Sequence, residues 1–167
     1  MANDVRVSLE RRIGRLDAPE AAALVAAHLA EMERRYDAPD EWDGLQPSQL
    51  AAPDGTFVLG WLDDEAIACG GLRRIDETTG EIKRMFVAEA ARRRGFARAV
   101  LVEIERTARD IGYERLILET GTKQPEAIGL YLSHGYEAID PYGVYRDSPM
   151  SRCFAKDLRR AGVEQHG

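Results

Sequence analysis

The stretch RRRGFARAVL, residues 92–101, places three consecutive arginines before a glycine and continues into an apolar pattern. Apolar residues recur at positions 97, 100, 101, 104, 108 and 111, the spacing of one helix face, and Gly112 follows. The sequence therefore predicts a helix over residues 97–111, with its start near Gly95 or Ala97. The unpaired amides and the dipole of such a helix start favour a bound anion. A solvated basic loop is the alternative interpretation.

The segments on either side of this stretch alternate between strand and helix patterns. Upstream, three strand-like segments are separated by short polar turns, which is typical of an antiparallel meander. Downstream, the helix leads to an aliphatic strand, so the crossover predicts a parallel pair within a mixed α+β sheet. The predicted strands are residues 5–13, 56–62, 66–75, 81–87, 115–120, 136–139 and 151–156, and the predicted helices are 21–35, 97–111 and 125–135.

Composition indicates an ordinary globular protein, and we expect one domain over residues 1–167. The chain is 44% hydrophobic and 31% charged, with a formal net charge of −6, a balance that argues against a nucleic-acid partner. No run is long enough to span a membrane and no signal peptide is recognisable, so we expect a cytoplasmic protein. Cys69 and Cys153 are expected to be small buried hydrophobes, and no metal site is expected.

The pattern Arg92-x-x-Gly95-x-Ala97, between a strand and a helix, resembles the acyl-CoA pyrophosphate loop of the GNAT superfamily of N-acetyltransferases. The order of elements, from about residue 5 to residue 158, is also similar to that family. The resemblance implies an α+β three-layer fold with a mostly antiparallel sheet, flanking helices and a splayed central pair of parallel strands. It also implies acetyl-CoA as the acyl donor, and a homodimer is consistent with the family.

The resemblance further implies where acetyl-CoA binds. The loop amides of about residues 93–98 would hold the pyrophosphate, and the pantetheine arm would pair with the end of the strand at residues 85–87. A β-bulge and a splay between that strand and residues 116–120 would open the slot. Gln124 stands where the family often has asparagine, so this pantetheine contact differs. The expected donor-binding residues are Met85, Phe86, Val87, Arg92, Arg93, Arg94, Gly95, Phe96, Ala97, Arg98, Thr120 and Gln124.

Acetyl transfer to an amine needs a neutral nucleophile, a polarised carbonyl and a proton for the departing thiolate. The resemblance implies Tyr131 as the general acid, although an aromatic on a buried helix face explains the same residue. Glu81, eleven residues before Arg92, resembles the general base of the histone-acetyltransferase branch. A solvent-facing carboxylate or a partner for Lys83 would also explain Glu81. Glu119 is the rival base, and a chain of waters is a third possibility.

The resemblance implies that the acceptor enters on the side opposite the donor entrance, and acids and aromatic residues cluster in the segments that would line that side. These would suit a cationic amine, whereas the arginines and lysine nearby would suit the carboxylate of an amino acid. Lys83 and Arg84 should face opposite sides of a strand, so we expect only one of them in a given pocket. The candidate acceptor-binding residues are Tyr36, Trp42, Arg73, Lys83, Tyr142 and Tyr145.

The sequence and the resemblance together predict an N-acetyltransferase that moves an acetyl group from acetyl-CoA to a primary amine of a small molecule. Two alternatives stay open at this stage. The protein acetylates lysines or N-termini of other proteins, or it is a non-catalytic module that binds acyl-CoA.

Overall fold

Strand-forming segments joined by short turns build one continuous sheet. The structure, a computed structural model, describes residues 9–37 and 44–161. Its strands are β1 (Glu10–Ile13), β2 (Thr56–Leu62), β3 (Glu65–Arg74), β4 (Thr79–Val87), β5 (Arg115–Gly121), β6 (Glu137–Ile139) and β7 (Ser151–Asp157). Its α-helices are α1 (Pro19–Tyr36), α2 (Phe96–Ile111), α3 (Pro125–Ser133) and α4 (Leu158–Ala161), with 3₁₀ turns at Pro47–Leu50 and Glu89–Ala91.

Within the described residues the strands lie in the order β1-β2-β3-β4-β5-β7-β6. All neighbours pair antiparallel except β4 and β5, which pair parallel across the α2 crossover. The predicted α+β fold with a central parallel pair is therefore confirmed. Residues 5–8 of the predicted first strand lie outside the described residues. No helix in the described part of the chain is both long and apolar enough to cross a bilayer.

Helices cover both faces of the sheet and bury two hydrophobic clusters. Val100, Leu101 and Ile104 of α2 are fully buried against one face, which α3 also covers through Tyr131. On the other face, Leu24 of α1 packs in a cluster with residues of β2 and β3. The apolar period of α2 thus sets which face of the helix packs on the sheet.

The helix α2 begins and ends at glycines in the left-handed region. Gly95 precedes its first residue with φ 80°, and Gly112 ends it with φ 111°. The amide of Gly112 donates to the Ala108 carbonyl at 3.1 Å, which closes the last turn. At the other end Gly95 provides no side chain to cap the first turn.

A β-bulge bends β4 near its end. Cys69 pairs with Phe86, but Gly71 pairs with Lys83, so Arg84 and Met85 lie opposite the single residue Gly70. Arg84 has φ 60°, an uncommon conformation for a residue with a side chain. A Cβ on Gly70 would lie 2.4 Å from the Met85 sulfur, so glycine is required there for Met85 to pack.

The parallel β4–β5 ladder ends before either strand does. The last paired residues are Ile82 and Leu118, whereas β4 continues to Val87 and β5 to Gly121. The two strands therefore separate after Ile82, just before the bulge. The bulge and the splay that the family resemblance implied are both present.

Candidate active site

The separated ends of β4 and β5 open into a cavity of about 850 Å³. Its walls come from those two strand ends, the loop before α2, the inner faces of α1 and α3, and the segment before β7. A volume of this size is in the range of natural ligand pockets. The site therefore lies where the parallel ladder stops.

The loop before α2 forms one end of the cavity and is suited to an anion. Arg93 has φ 67° and Gly95 has φ 80°, so the loop turns sharply before the helix begins. The first intrahelical bond is from the Ala99 amide to the Gly95 carbonyl, at 3.1 Å, so the amides of the preceding turn point outward from the helix start. A Cβ on Gly95 would meet nothing within 4 Å, which shows that open space lies in front of the loop.

The arginines of this loop have different positions. Arg93 and Arg98 line the cavity, while Arg94 is exposed and does not line it. The Arg92 guanidinium donates to the Val87 carbonyl at 3.0 Å and to Glu31 at 2.8 Å, and it lies 5.5 Å from the centre of the Phe86 ring. Arg92 thus ties the loop to β4 and α1.

A chain of ion pairs crosses from this loop to the start of α3. Glu31 of α1 pairs with Arg92 and, at 3.7 Å, with Arg35. Arg35 pairs with Glu126 of α3 and donates to the Lys123 carbonyl at 2.8 Å. Burial would raise the pKa of Glu31, but the hydrogen bond from Arg92 and the two positive charges lower it below its usual value. The sequence did not indicate the pairing of Glu31 with Arg92, because the two residues are 61 positions apart in the chain.

Tyr131 lies on the α3 wall of the cavity. Its side chain is only 5% exposed, and its ring packs edge-on against Tyr136 with centroids 5.6 Å apart. Burial raises the pKa of Tyr131 well above that of an ordinary tyrosine. The phenol is therefore fully protonated at neutral pH and available as a hydrogen-bond donor.

Glu119 lies in the same cavity, one residue beyond Leu118, the last residue of the parallel ladder. Its side chain is half-buried, and burial raises the pKa of Glu119 above its usual value despite stabilising contacts from Ser151 and Lys83. The Cys153 thiol is its hydrogen-bonding neighbour, with Sγ 3.8 Å from Oε2. A carboxylate with a raised pKa that borders a cavity has the properties of a general base.

Glu81 has a different position. It is 3% exposed and does not line the cavity. Its Oε1 accepts a hydrogen bond of 2.6 Å from Arg73 Nε, and its Oε2 accepts one of 2.7 Å from the Tyr142 hydroxyl. Both carboxylate oxygens are therefore engaged by other side chains, and the partner of Glu81 on the strand is Arg73 rather than Lys83.

Lys83 and Arg84 both line the cavity, so the expectation that only one of them could do so is wrong. Strict alternation fails here because Arg84 belongs to the bulge and has a positive φ. His28 of α1 also lines the cavity and stacks on Phe86, with ring centroids 5.0 Å apart. Burial, aided by the positive charge of Arg84, lowers the pKa of His28 to about 4, so its imidazole is neutral at physiological pH.

Tyr36 and Gln124 meet at the far wall. Gln124 Nε2 donates to the Tyr36 hydroxyl at 3.1 Å, so a predicted acceptor-side residue and a predicted donor-side residue form one contact. That hydroxyl also packs on the backbone of Gly121, where any Cβ would collide with it. Glycine at the end of β5 thus lets Tyr36 close this wall.

The cavity brings together most of the predicted site residues. Three of those predicted, Arg73, Glu81 and Tyr142, lie beside the cavity rather than in its lining, as does the exposed Arg94, and Trp42 is outside the described residues. The predicted residues that line it are Tyr36, Lys83, Met85, Phe86, Val87, Arg92, Arg93, Gly95, Phe96, Ala97, Arg98, Glu119, Thr120, Gln124, Tyr131 and Tyr145.

Comparison with known proteins identifies the class to which this fold and cavity belong. The model of the acetyltransferase (GNAT) family matches residues 22–136. An uncharacterised N-acetyltransferase of Bacillus subtilis (strain 168), YsnE, is 35% identical over 149 residues, which cover 88% of this chain and 98% of the relative. The chain belongs to the GNAT family and is an acetyl-CoA-dependent N-acetyltransferase.

Solved structures agree on the fold. A GNAT-family acetyltransferase from Staphylococcus aureus Mu50 superposes with a TM-score of 0.74 at 19% identity, covering 89% of this chain and 99% of that one. A GNAT-family acetyltransferase from Elizabethkingia anophelis, solved with acetyl-CoA bound, superposes with a TM-score of 0.65 at 20% identity, covering 89% of this chain and 97% of that one. These similarities concern the arrangement of strands and helices.

Proposed function

We propose that this acetyltransferase moves the acetyl group of acetyl-CoA to a primary amine of a small molecule, within the cavity between β4 and β5. The observation that carries the proposal is that one cavity contains an anion-binding helix start, a protonated tyrosine and a glutamate with a raised pKa. These are the groups that aminolysis of a thioester requires.

The loop and helix start at residues 93–98 bind the diphosphate through backbone amides and the charges of Arg93 and Arg98. The free end of β4 offers backbone groups to the amides of the pantetheine arm, because its ladder with β5 has already ended. Together these contacts place the thioester carbonyl between Glu119 and Tyr131.

Glu119 takes a proton from the ammonium form of the acceptor, which frees the nitrogen lone pair for attack. The C–N bond forms and the C–S bond breaks, and the sulfur leaves with the electron pair. The second proton of the attacking nitrogen passes to this thiolate, which gives the neutral amide and the CoA thiol. Tyr131 donates a hydrogen bond to that sulfur. Its raised pKa makes the phenol hold its proton more tightly than a thiol, whose ordinary pKa is about 8.5, so the tyrosine stabilises the leaving group without becoming a phenolate.

A small acceptor is favoured by the walls around Glu119. The segment between β6 and β7 contributes Tyr145, Ser148 and Met150 to the cavity, and α1 encloses it from the other side. A lysine within a folded protein would need an open groove at this place.

The test is thiol release from acetyl-CoA, followed with a thiol-reactive dye, against a panel of primary amines, free amino acids and a lysine-containing peptide. Release with one or more small amines, and a product mass increased by one acetyl group, is the expected result. Transfer only to the peptide would overturn the small-molecule assignment. CoA binding by calorimetry without release in any mixture would instead indicate a binding module.

A further inference from the structure

The Arg73–Glu81–Tyr142 cluster joins two strands and a loop beside the cavity. Arg73 of β3 and Glu81 of β4 are register partners, so their ion pair of 2.6 Å lies directly across the antiparallel ladder. Tyr142, 61 residues further along the chain, donates to the remaining Glu81 oxygen at 2.7 Å. One buried carboxylate therefore links the centre of the sheet to the β6–β7 loop, residues 140–150.

The β6–β7 loop is held at its two ends by different contacts. At its C-terminal end the Thr122 amide donates to the Met150 carbonyl at 2.9 Å. Inside the loop, the backbone bonds are local turns, such as Arg146 to Gly143 at 3.2 Å. The Tyr142 hydroxyl thus adds a long-range hydrogen bond that connects the N-terminal part of the loop to β4.

The held loop passes directly over the candidate base. A Cβ on Gly143 would lie 3.9 Å from Glu119 Oε2, so the backbone beside Tyr142 borders that carboxylate. Further along the loop, Tyr145 and Ser148 line the cavity. The position of Tyr142 therefore determines how closely the loop covers Glu119 and the acceptor end of the cavity.

We propose that Glu81 is a positioning residue, which with Arg73 and Tyr142 holds the β6–β7 loop over the acceptor end, and that it does not take the amine proton. A base needs an oxygen that faces the acceptor, and both Glu81 oxygens are occupied by Arg73 and Tyr142. The cluster sets acceptor affinity through the loop. This inference rests on the proposed function.

The experiment compares Tyr142→Phe, Glu81→Gln and the double variant with Tyr113→Phe as the matched control. Tyr113 also donates its hydroxyl to an acceptor far away in the chain, the Asp54 carbonyl, but does not line the cavity. We expect Tyr142→Phe to raise the KM of the best amine from the panel about tenfold, the effect of losing one hydrogen bond to a charged group, with kcat changed less than about threefold. The KM for acetyl-CoA should stay unchanged.

Two further readouts distinguish holding the loop from proton transfer. The acidic limb of the pH profile of kcat/KM should persist in Tyr142→Phe and Glu81→Gln, because Glu119 is intact. The double variant should have nearly the same KM as the more affected single variant, since both substitutions act on one contact. Loss of the acidic limb in Glu81→Gln, with Tyr142→Phe unaffected, would identify Glu81 as the base and overturn the inference.

Hydrogen–deuterium exchange separates this inference from the proposed function. Amides of residues 140–150 should exchange faster in Tyr142→Phe and Glu81→Gln than in the wild type and in Tyr113→Phe. Unchanged exchange would show that the cluster does not hold the loop, even in an active enzyme. If no acceptor supports thiol release, the proposed function fails, and the exchange experiment still decides whether the loop is held.

Discussion

Gly95 provides the sharpest test of the anion-binding loop, because a matched glycine lies at the other end of the same helix. Gly95 and Gly112 have φ values of 80° and 111°, and a Cβ on either would meet nothing within 4 Å. Asparagine or aspartate at each position should therefore cost similar backbone strain, about 1 kcal/mol. For a chain of this size that corresponds to a melting temperature lower by about 2–4 °C.

Only the substitutions at Gly95 should affect the donor. A carboxylate at position 95 would lie about 5 Å from a bound phosphate, and at an effective dielectric of about 20 two unit charges repel by about 3 kcal/mol. Gly95→Asp should therefore weaken CoA binding more than about 100-fold, measured by isothermal titration calorimetry. Gly95→Asn, which blocks the approach without adding charge, should weaken it by about tenfold.

The Gly112 variants should bind CoA like the wild type while losing the same thermal stability. Equal weakening by Gly95→Asn and Gly95→Asp would refute the electrostatic reasoning. Normal CoA affinity in Gly95→Asp would refute the placement of the diphosphate at the start of α2.

The remaining predictions concern the buried ionisable groups. Tyr131→Phe removes the hydrogen bond to the departing sulfur and should lower kcat by about 100-fold, with a CoA dissociation constant like that of the wild type; an unchanged kcat would remove Tyr131 from the mechanism. The rate should fall as the pH drops through the raised pKa of Glu119, and Glu119→Gln should abolish this acidic limb of the pH–rate profile. Because burial penalises the ionised carboxylate, the same variant should also melt at a higher temperature than the wild type at neutral pH. The pKa of His28 is lowered from 6.5 to about 4, so the unfolded chain takes up a proton at a higher pH than the folded chain does. The free energy of unfolding should therefore fall by about 3 kcal/mol as the pH decreases across that interval. Urea titrations of His28→Asn should show a weaker dependence of the free energy of unfolding on pH. Lys156 Nζ lies 2.9 Å from Glu105 Oε1, and Glu105→Ala would leave this ammonium group buried without that partner. The variant should lower the free energy of unfolding by about 3–5 kcal/mol, measured by urea titration, and a decrease under about 1 kcal/mol would contradict this.

Local sequence patterns were sufficient for the elements around the site. The apolar period of residues 97–111 and the glycines on either side predicted α2 within one residue, because both depend on contacts close in the chain. Alternating strands with short turns predicted the meander for the same reason. The resemblance, rather than the residues themselves, supplied the bulge and the splay, which depend on how Met85 and Gly70 pack between β4 and β3.

Long-range contacts were not predictable from the sequence. Glu81 resembled a general base in the sequence, but in the structure its carboxylate accepts a hydrogen bond from Tyr142, 61 residues away. The contacts of Glu31 and His28 could not be predicted from the sequence, because they form only when α1 packs beside Arg92 and Phe86. The position of Arg84 was misjudged since strand alternation assumes a regular ladder.

The end of the β4–β5 ladder also bears on how the protein avoids aggregation. Unpaired strand edges usually invite pairing with another polypeptide, and here two such edges lie in the interior of a sheet. The stretch of β4 beyond Ile82 is short, interrupted by the irregular backbone at Arg84, and enclosed by α1 and α3. A foreign strand needs a longer regular edge to pair with, so the irregularity that would suit the proposed coenzyme arm also discourages misassembly.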